Sequence, residues 1–240
     1  MVSTGVDEMQ RYAGQALVVA VDGPAGSGKS TAARRVAAEL GLRYLDTGAM
    51  YRALTWWLLR QQVELTDTAS VVARMAEPRI AVGTNPGDPQ ISVDGRDVAG
   101  PIRSREVSNA VSVVAAVPAV RELLIGTQRQ IIAAAATEGP GIVAEGRDIG
   151  TVVAPDAAVK VYLTASEEAR ARRRAADLTA DPGATVDTTL REQARRDRRD
   201  SAQMAMAADA IVIDTTRLGL DQVVGEIVAM ARARQAMTHG

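Results

Sequence analysis

Leu17-Val-Val-Ala-Val-Asp22, followed at once by Gly23-Pro-Ala-Gly-Ser-Gly-Lys-Ser-Thr31, is the stretch from which the fold is read. Leu17 to Val21 form an unbroken apolar, β-rich run. A run without polar alternation fits a strand buried on both faces, as in a parallel sheet. Gly23 to Thr31 match G-x-x-x-x-G-K-[ST] at every fixed position, so Gly23, Pro24, Ala25, Gly26, Ser27, Gly28, Lys29, Ser30 and Thr31 are candidate phosphate-binding residues. The glycines let the backbone turn tightly and aim several N–H groups inward. The N-terminus of the following helix adds partial positive charge at the same place. Lys29 supplies a full charge for the β and γ phosphates, and Ser30 a hydroxyl for Mg²⁺. A glycine-rich turn without a ligand is the alternative, but the strand before and the helix after are what the phosphate mechanism requires.

Working outward, helical spacing places Ala33, Val36, Ala37 and Leu40 on one face, with Gly41 at the C-cap position. Leu42 to Leu45 reads as a short strand and Thr47 to Gln62 as a helix. From Thr66 to about Gly100 the pattern changes to short alternating segments with turn chemistry at Asn85-Pro-Gly-Asp-Pro and Asp94-Gly95, which predicts a small antiparallel insertion. Helices are expected over Arg105–Val117 and Pro118–Ala136, separated at the proline. Strands follow at Gly141–Ala144, Val159–Leu163 and Ala210–Ile213. Helices are expected at Ser166–Asp177, Thr188 to about Met206, and Leu220–Gln235. Alternating strands and helices predict an α/β fold with a mostly parallel central sheet between helical layers. The expected organisation is a flexible tail at 1–15 and one domain at 16–240. That domain carries an inserted subdomain at about 66–101 and an Arg-rich helical lid at about 168–207.

Composition narrows the chemistry. The chain has 240 residues, 28 Lys and Arg against 29 Asp and Glu, no Cys, and a single His at position 239. Thiolate metal sites, disulfides and Cys nucleophiles are excluded, and a His-based triad is disfavoured. The formal charge of −1 and the lack of Phe argue against a nucleic-acid binder. No apolar run reaches the roughly 18 residues of a membrane span. Met1 to Ala16 lack a signal-peptide core, so a cytoplasmic protein with no membrane partner is expected.

Two charged clusters follow strand ends, where ligands collect in open parallel sheets. Asp46-Thr-Gly-Ala-Met-Tyr-Arg52 is one and Glu145-Gly-Arg-Asp148 the other. Either alone could be a capping acid or a solvated Arg. Together they suggest a pocket with cations for an anionic acceptor and carboxylates for hydroxyls, amines or Mg²⁺. Arg191 to Asp200 holds five Arg, one Glu and two Asp, and Arg196, Arg199 and Asp200 share a helical face. A solvated hairpin would look the same. A lid that neutralises phosphate oxygens and excludes water is the functional reading.

Gly23–Thr31, Asp46–Arg52, Ile102-Arg103 through Ser112 to Pro118-Ala-Val-Arg121, and Glu145 to Val153, in this order, closely resemble the bacterial cytidylate kinases, P-loop nucleoside monophosphate kinases. The resemblance runs from about residue 17 to 235. It implies a P-loop NTPase-type fold with an NMP-binding insertion and transfer of the ATP γ-phosphate to CMP or dCMP, with ATP and Mg²⁺ bound and a monomer expected. Carried over by position, Lys29, Arg147 and Arg196 would be catalytic, and Ser30 would meet the metal. Thr47, Arg52, Ser112, Arg121, Arg147, Asp148, Arg196 and Asp200 would bind the acceptor. Arg52, Arg147 and Arg196 would hold its phosphate and Asp200 its ribose. Ser112, Arg121 and Asp148 would read cytosine, Arg121 donating to O2 and N3 and Asp148 accepting from the N4 amine. One departure is visible: the family pattern continues after Asp200 with an Arg at 203 and an Ala-Pro-Leu-like segment, whereas this chain has Gln203 and then Met204-Ala-Met-Ala-Ala208. A small-molecule kinase with another acceptor and a nucleotide-hydrolysing switch are the alternatives; an N-K-x-D guanine motif is absent.

Overall fold

The computed structural model describes residues 16–177, 185–200 and 204–238, without the side chains of Arg174, Asp177, Val186, Glu192, Arg196 and Thr238. The expected tail at 1–15, the loop at Asp181-Pro-Gly and Gln203 lie outside the described residues.

Five strands form one parallel sheet: β1 (Leu17–Asp22), β2 (Arg43–Asp46), β6 (Gly141–Gly146), β7 (Val159–Thr164) and β8 (Ile211–Asp214), in the order β2-β6-β1-β7-β8. The apolar runs are long because both faces are covered; every residue of β6 is buried. One face carries Leu45, Ile142 and Ala144 and packs on Met50, Leu54 and Leu58 of α2 (Thr47–Arg60) and on α5 (Pro118–Glu138). The other face carries Val19, Val21 and Val161 and packs on Val36 and Ala37 of α1 (Lys29–Leu40) and on Val224 and Ile227 of α8 (Leu220–Thr238). This is a three-layer α/β architecture. Because all five strands run the same way, Asp22, Asp46, Glu145 and Asp214 come to one edge of the sheet.

The insertion differs from its expected form in its first third. Residues Thr68–Arg74 are a helix, α3, whose N-terminus is capped by Asp67 accepting from the Ala69 amide at 3.1 Å. Antiparallel pairing follows in β3 (Ile80–Val82), β4 (Ile91–Val93) and β5 (Arg96–Asp97). Asp94 and Gly95, at φ 52° and 79°, make the tight turn between the last two. The insertion is stitched to the main sheet: Tyr44 N–H at the outer edge of β2 donates to Thr84 O at 2.9 Å, and Arg34 of α1 donates to Pro86 O at 2.8 Å.

Beyond the insertion, α4 (Arg105–Ala115) is capped by Ser104 and meets α5 at 100°, with Pro118 opening α5. The hairpin helices are α6 (Glu167–Asp177) and α7 (Val186–Asp200). α7 is described as far as Asp200, and Met204–Met206 is not helical, which corrects the expected extension to about Met206. The Ala/Met run favours helix locally, but the chain must return to β8 at Ile211, and that connection outweighs propensity.

Leu54 is fully buried between α2 and the sheet. Leu54→Ala should cost about 2–5 kcal/mol of stability, read as a lowered midpoint in urea unfolding.

Candidate active site

The loop after β1 is shaped by close approach. Gly23 and Gly26 have φ of 151° and 76°. A Cβ on Gly23 would sit 2.2 Å from Leu163 O, and one on Gly26 would sit 2.8 Å from Arg170 O and 2.9 Å from Gln193 Nε2. Its carbonyl oxygens are engaged from outside the ring. Arg147 donates to Gly23 O at 2.9 Å, Lys29 Nζ lies 3.4 Å from Pro24 O, and Arg170 donates to Ala25 O at 3.2 Å. Ser27 O accepts from Thr215 Oγ1 at 2.9 Å and Arg173 at 3.4 Å. The helix that follows has Gly28 at its N-cap with no side-chain cap, so its first amides and its dipole face the cavity uncompensated. Ser27 Oγ is buried in the ring without a hydrogen-bond partner.

Glu145, 2% exposed, sits behind this ring at the end of β6. Ser30 Oγ donates to it at 2.6 Å and Tyr44 OH at 3.3 Å, while Lys29 Nζ lies 4.0 Å away. Burial raises the Glu145 carboxyl well above the usual carboxylate range, and Asp46 adds to the rise against Lys29, Ser30 and Arg52. Burial likewise lifts the Tyr44 phenol, which stays a donor. Asp46 caps α2 through the Ala49 amide at 2.8 Å and pairs with Arg52 at 2.8 Å. Burial pushes its carboxyl up, but Arg52, the Ala49 N–H, Arg103 and Lys29 together hold it below its ordinary value. Arg52 Nε is buried without a hydrogen-bond partner.

A cavity of about 840 Å³ opens over the loop. That lies within the roughly 300–1,000 Å³ of small-molecule sites. Of the candidate residues, Ala25 to Thr31, Thr47, Arg52, Ser112, Arg121, Arg147, Asp148 and Asp200 all line it. Gly23 and Pro24 do not; both are buried at the start of the loop. Arg196 lies on α7, but its side chain falls outside the described residues. Arg121 and Asp148 are ion-paired. Arg147 pairs with Asp200 at 3.1 Å, and Arg170 of α6 pairs with Asp197 of α7 at 2.6 Å. The wall passes from Arg52 directly to Arg103, so residues 66–101 support the cavity without lining it.

Several lining residues were not assigned to the site from the sequence: Tyr51 and Arg103, which sit inside the quoted motifs, Arg173 of the Arg-rich hairpin, and Ser108, Thr215 and Leu218. Thr215 and Leu218 follow β8, so the strand-end rule that found Asp46 and Glu145 could have found them. They lie on the β8 side of the loop, while Arg52, Arg121 and Asp148 lie on the β2 and β6 side. The cavity therefore has room on both sides of the phosphate ring.

The residues fit a triphosphate with Mg²⁺: an unsatisfied helix start, an orphaned Ser27 hydroxyl, Lys29, and the Ser30 hydroxyl oriented by Glu145. Among the described residues no group of three or more His, Asp or Glu could hold a metal alone. That suits Mg²⁺, which is commonly held by one or two protein oxygens plus phosphate.

The raised Glu145 carboxyl has a thermodynamic consequence. From its ordinary value of 4.5 upward to its raised one, the folded chain holds a proton that the unfolded chain has released. Its contribution to stability is therefore largest on the acid side and declines as pH rises through that window. Glu145→Gln removes the effect, so in urea unfolding the variant should gain on the parent between about pH 5 and pH 8. A pH-independent difference would show an ordinary carboxyl.

The family model for cytidylate kinase matches residues 19–233. The cytidylate kinase of Streptomyces avermitilis is 47% identical over 222 residues, covering 92% of this chain and 95% of that protein. That of Rhodococcus jostii is 48% identical over 223 residues, covering 91% and 96%. Among solved structures, a shikimate kinase from Acinetobacter baumannii in complex with shikimate aligns at TM-score 0.45 and 15% identity, over 95% of this chain and 98% of that one. With its phosphate loop, paired strand-end clusters and near full-length relatives, this chain belongs to the cytidylate kinase family.

Proposed function

We propose that the chain transfers the γ-phosphate of ATP to the phosphate of CMP, giving ADP and CDP, and that dCMP is accepted in the same way to give dCDP. The observation that carries this reading is the Arg121–Asp148 pair on the cavity wall on the acceptor side of the phosphate loop. Cytosine presents acceptors at O2 and N3 and a donor at N4. A guanidinium beside a carboxylate matches that set. Uracil carries N–H at N3 and a carbonyl at position 4, and would leave both side chains facing like partners.

Lys29 and the open start of α1 bind the triphosphate, and Arg52, with a free Nε, receives the acceptor phosphate. Bound Mg²⁺, met by Ser30, would screen the phosphate oxygens. The attacking oxygen is already an anion, so no general base is required and the protein's task is alignment and charge neutralisation. Arg147 serves this from the ring side, fixed by Gly23 O and Asp200. Arg196 is assigned to the same task from α7. Asp200 is assigned to the ribose, exchanging Arg147 for a hydroxyl. The α6–α7 hairpin packs on the loop through Arg170 and Gln193 and excludes water when substrates are held. We assign the chain a monomeric state. No single described helix is long and apolar enough to cross a membrane. We assign the work to the cytoplasm.

In a coupled ADP-release assay CMP should support turnover far better than UMP or AMP; equal rates for the three would defeat the base assignment. Lys29→Ala should lower kcat by roughly 10²–10³-fold. Arg121→Ala should lower the CMP preference by about 10- to 100-fold and leave the KM for ATP nearly unchanged.

A further inference from the structure

Asp22 closes β1, is 6% exposed, and does not line the cavity. Its two carboxylate oxygens accept from the Ile149 and Gly150 amides, each at 2.8 Å. Those amides open a single π turn, Ile149–Val153, that follows the Glu145–Asp148 cluster. Asp148 stands at the position just before it, with φ −144° and ψ 29°. An aspartate there ordinarily turns its own side chain onto the amides that follow. Asp148 makes no such bond; its carboxylate goes to Arg121. Its main chain is fixed separately, since its carbonyl accepts from Val152 at 2.8 Å and Val153 at 3.2 Å.

The arrangement is costly, and that is the argument for a purpose. Burial pushes the Asp22 carboxyl up to about 6, with Asp148 adding to the rise and the two amides and Lys29 opposing it. A buried carboxylate supplied from another strand is used where the local aspartate could have done the work.

We propose that Asp22 is the remote cap of the turn bearing Asp148, a positioning residue for base recognition. By satisfying the Ile149 and Gly150 amides it leaves the Asp148 carboxylate free for Arg121 and the amine of the substrate base. This rests on the reading of Arg121 and Asp148 as the pair that faces cytosine.

The test uses the full chain. Asp22→Asn keeps the volume but replaces one of two acceptors by an NH₂ group that faces an amide N–H, so Asp148 is drawn back to its own turn. The KM for CMP should rise, and the CMP-over-UMP ratio of kcat/KM should fall about 10- to 100-fold, with the KM for ATP nearly unchanged. Asp22→Glu, which keeps both oxygens, should restore part of the ratio. Ile149→Val trims the same turn without touching the cap, and should lower thermal stability with the ratio intact. A folded Asp22→Asn enzyme with the parent's ratio overturns the proposal. If that variant does not fold, deuterium exchange on the parent decides: slow exchange at Ile149 and Gly150 supports the cap, and fast exchange overturns it. A parent enzyme that makes no CDP from CMP defeats the functional reading instead, and the exchange result still decides the cap.

Discussion

The site depends on one constraint: the loop from Gly23 to Thr31 must keep its carbonyl oxygens turned outward. A peptide ring that presents N–H groups to an anion has nowhere to put its C=O groups except on the far side, where each needs a donor. The chain supplies Arg147, Arg170, Arg173, Lys29 and Thr215. Lys29 belongs to the loop itself, while the others come from the segment after β6, from α6 and from the segment after β8, so the electropositive ring is completed by the sheet edge around it. Arginine suits this role because its planar fork can hold a carbonyl and a carboxylate together. Arg147 does so with Gly23 O and Asp200, and Arg170 with Ala25 O and Asp197.

The cations over the cavity are not bare. Arg52, Arg121 and Arg147 are each held by an acid, Asp46, Asp148 and Asp200. Such pairs fix the guanidinium planes before a ligand arrives and limit the repulsion among them. They also set a cost, because a ligand must win its share of each guanidinium from a carboxylate already present. Among the described residues Arg52 Nε is buried and unpartnered, so even this paired guanidinium is not fully satisfied.

Much of the frame was legible because burial on both faces leaves an unmistakable trace: Leu17–Val21 of β1 and Gly141–Ala144 of β6 are apolar without a break. The phosphate loop was legible because its geometry admits few residue types, as the contacts at Gly23 and Gly26 show. What could not be read depends on distance in space. α3 was missed because its short sequence, Thr68–Arg74, carries a cap but little periodicity. The end of α7 was misplaced because local propensity does not know where the next strand lies. Asp22 falls between the apolar run Leu17–Val21 and the loop motif and drew no reading; its partners lie more than a hundred residues on. Ser108, Thr215 and Leu218 carry no motif of their own and become site residues only through where the fold brings them.

The insertion supplies the final point. Its Thr84 carbonyl is bonded to the outermost strand of the large sheet, its Pro86 carbonyl to α1, and Trp56 and Trp57 of α2 lie under Arg96 and Arg74. A segment moored at so many points behaves as scaffolding rather than as a swinging arm. The insertion thereby anchors β2 and α1, the two elements whose ends carry Asp46 and Lys29 to the rim of the cavity. The fixed flank of the cavity is braced by a part of the polypeptide that contributes none of its described lining.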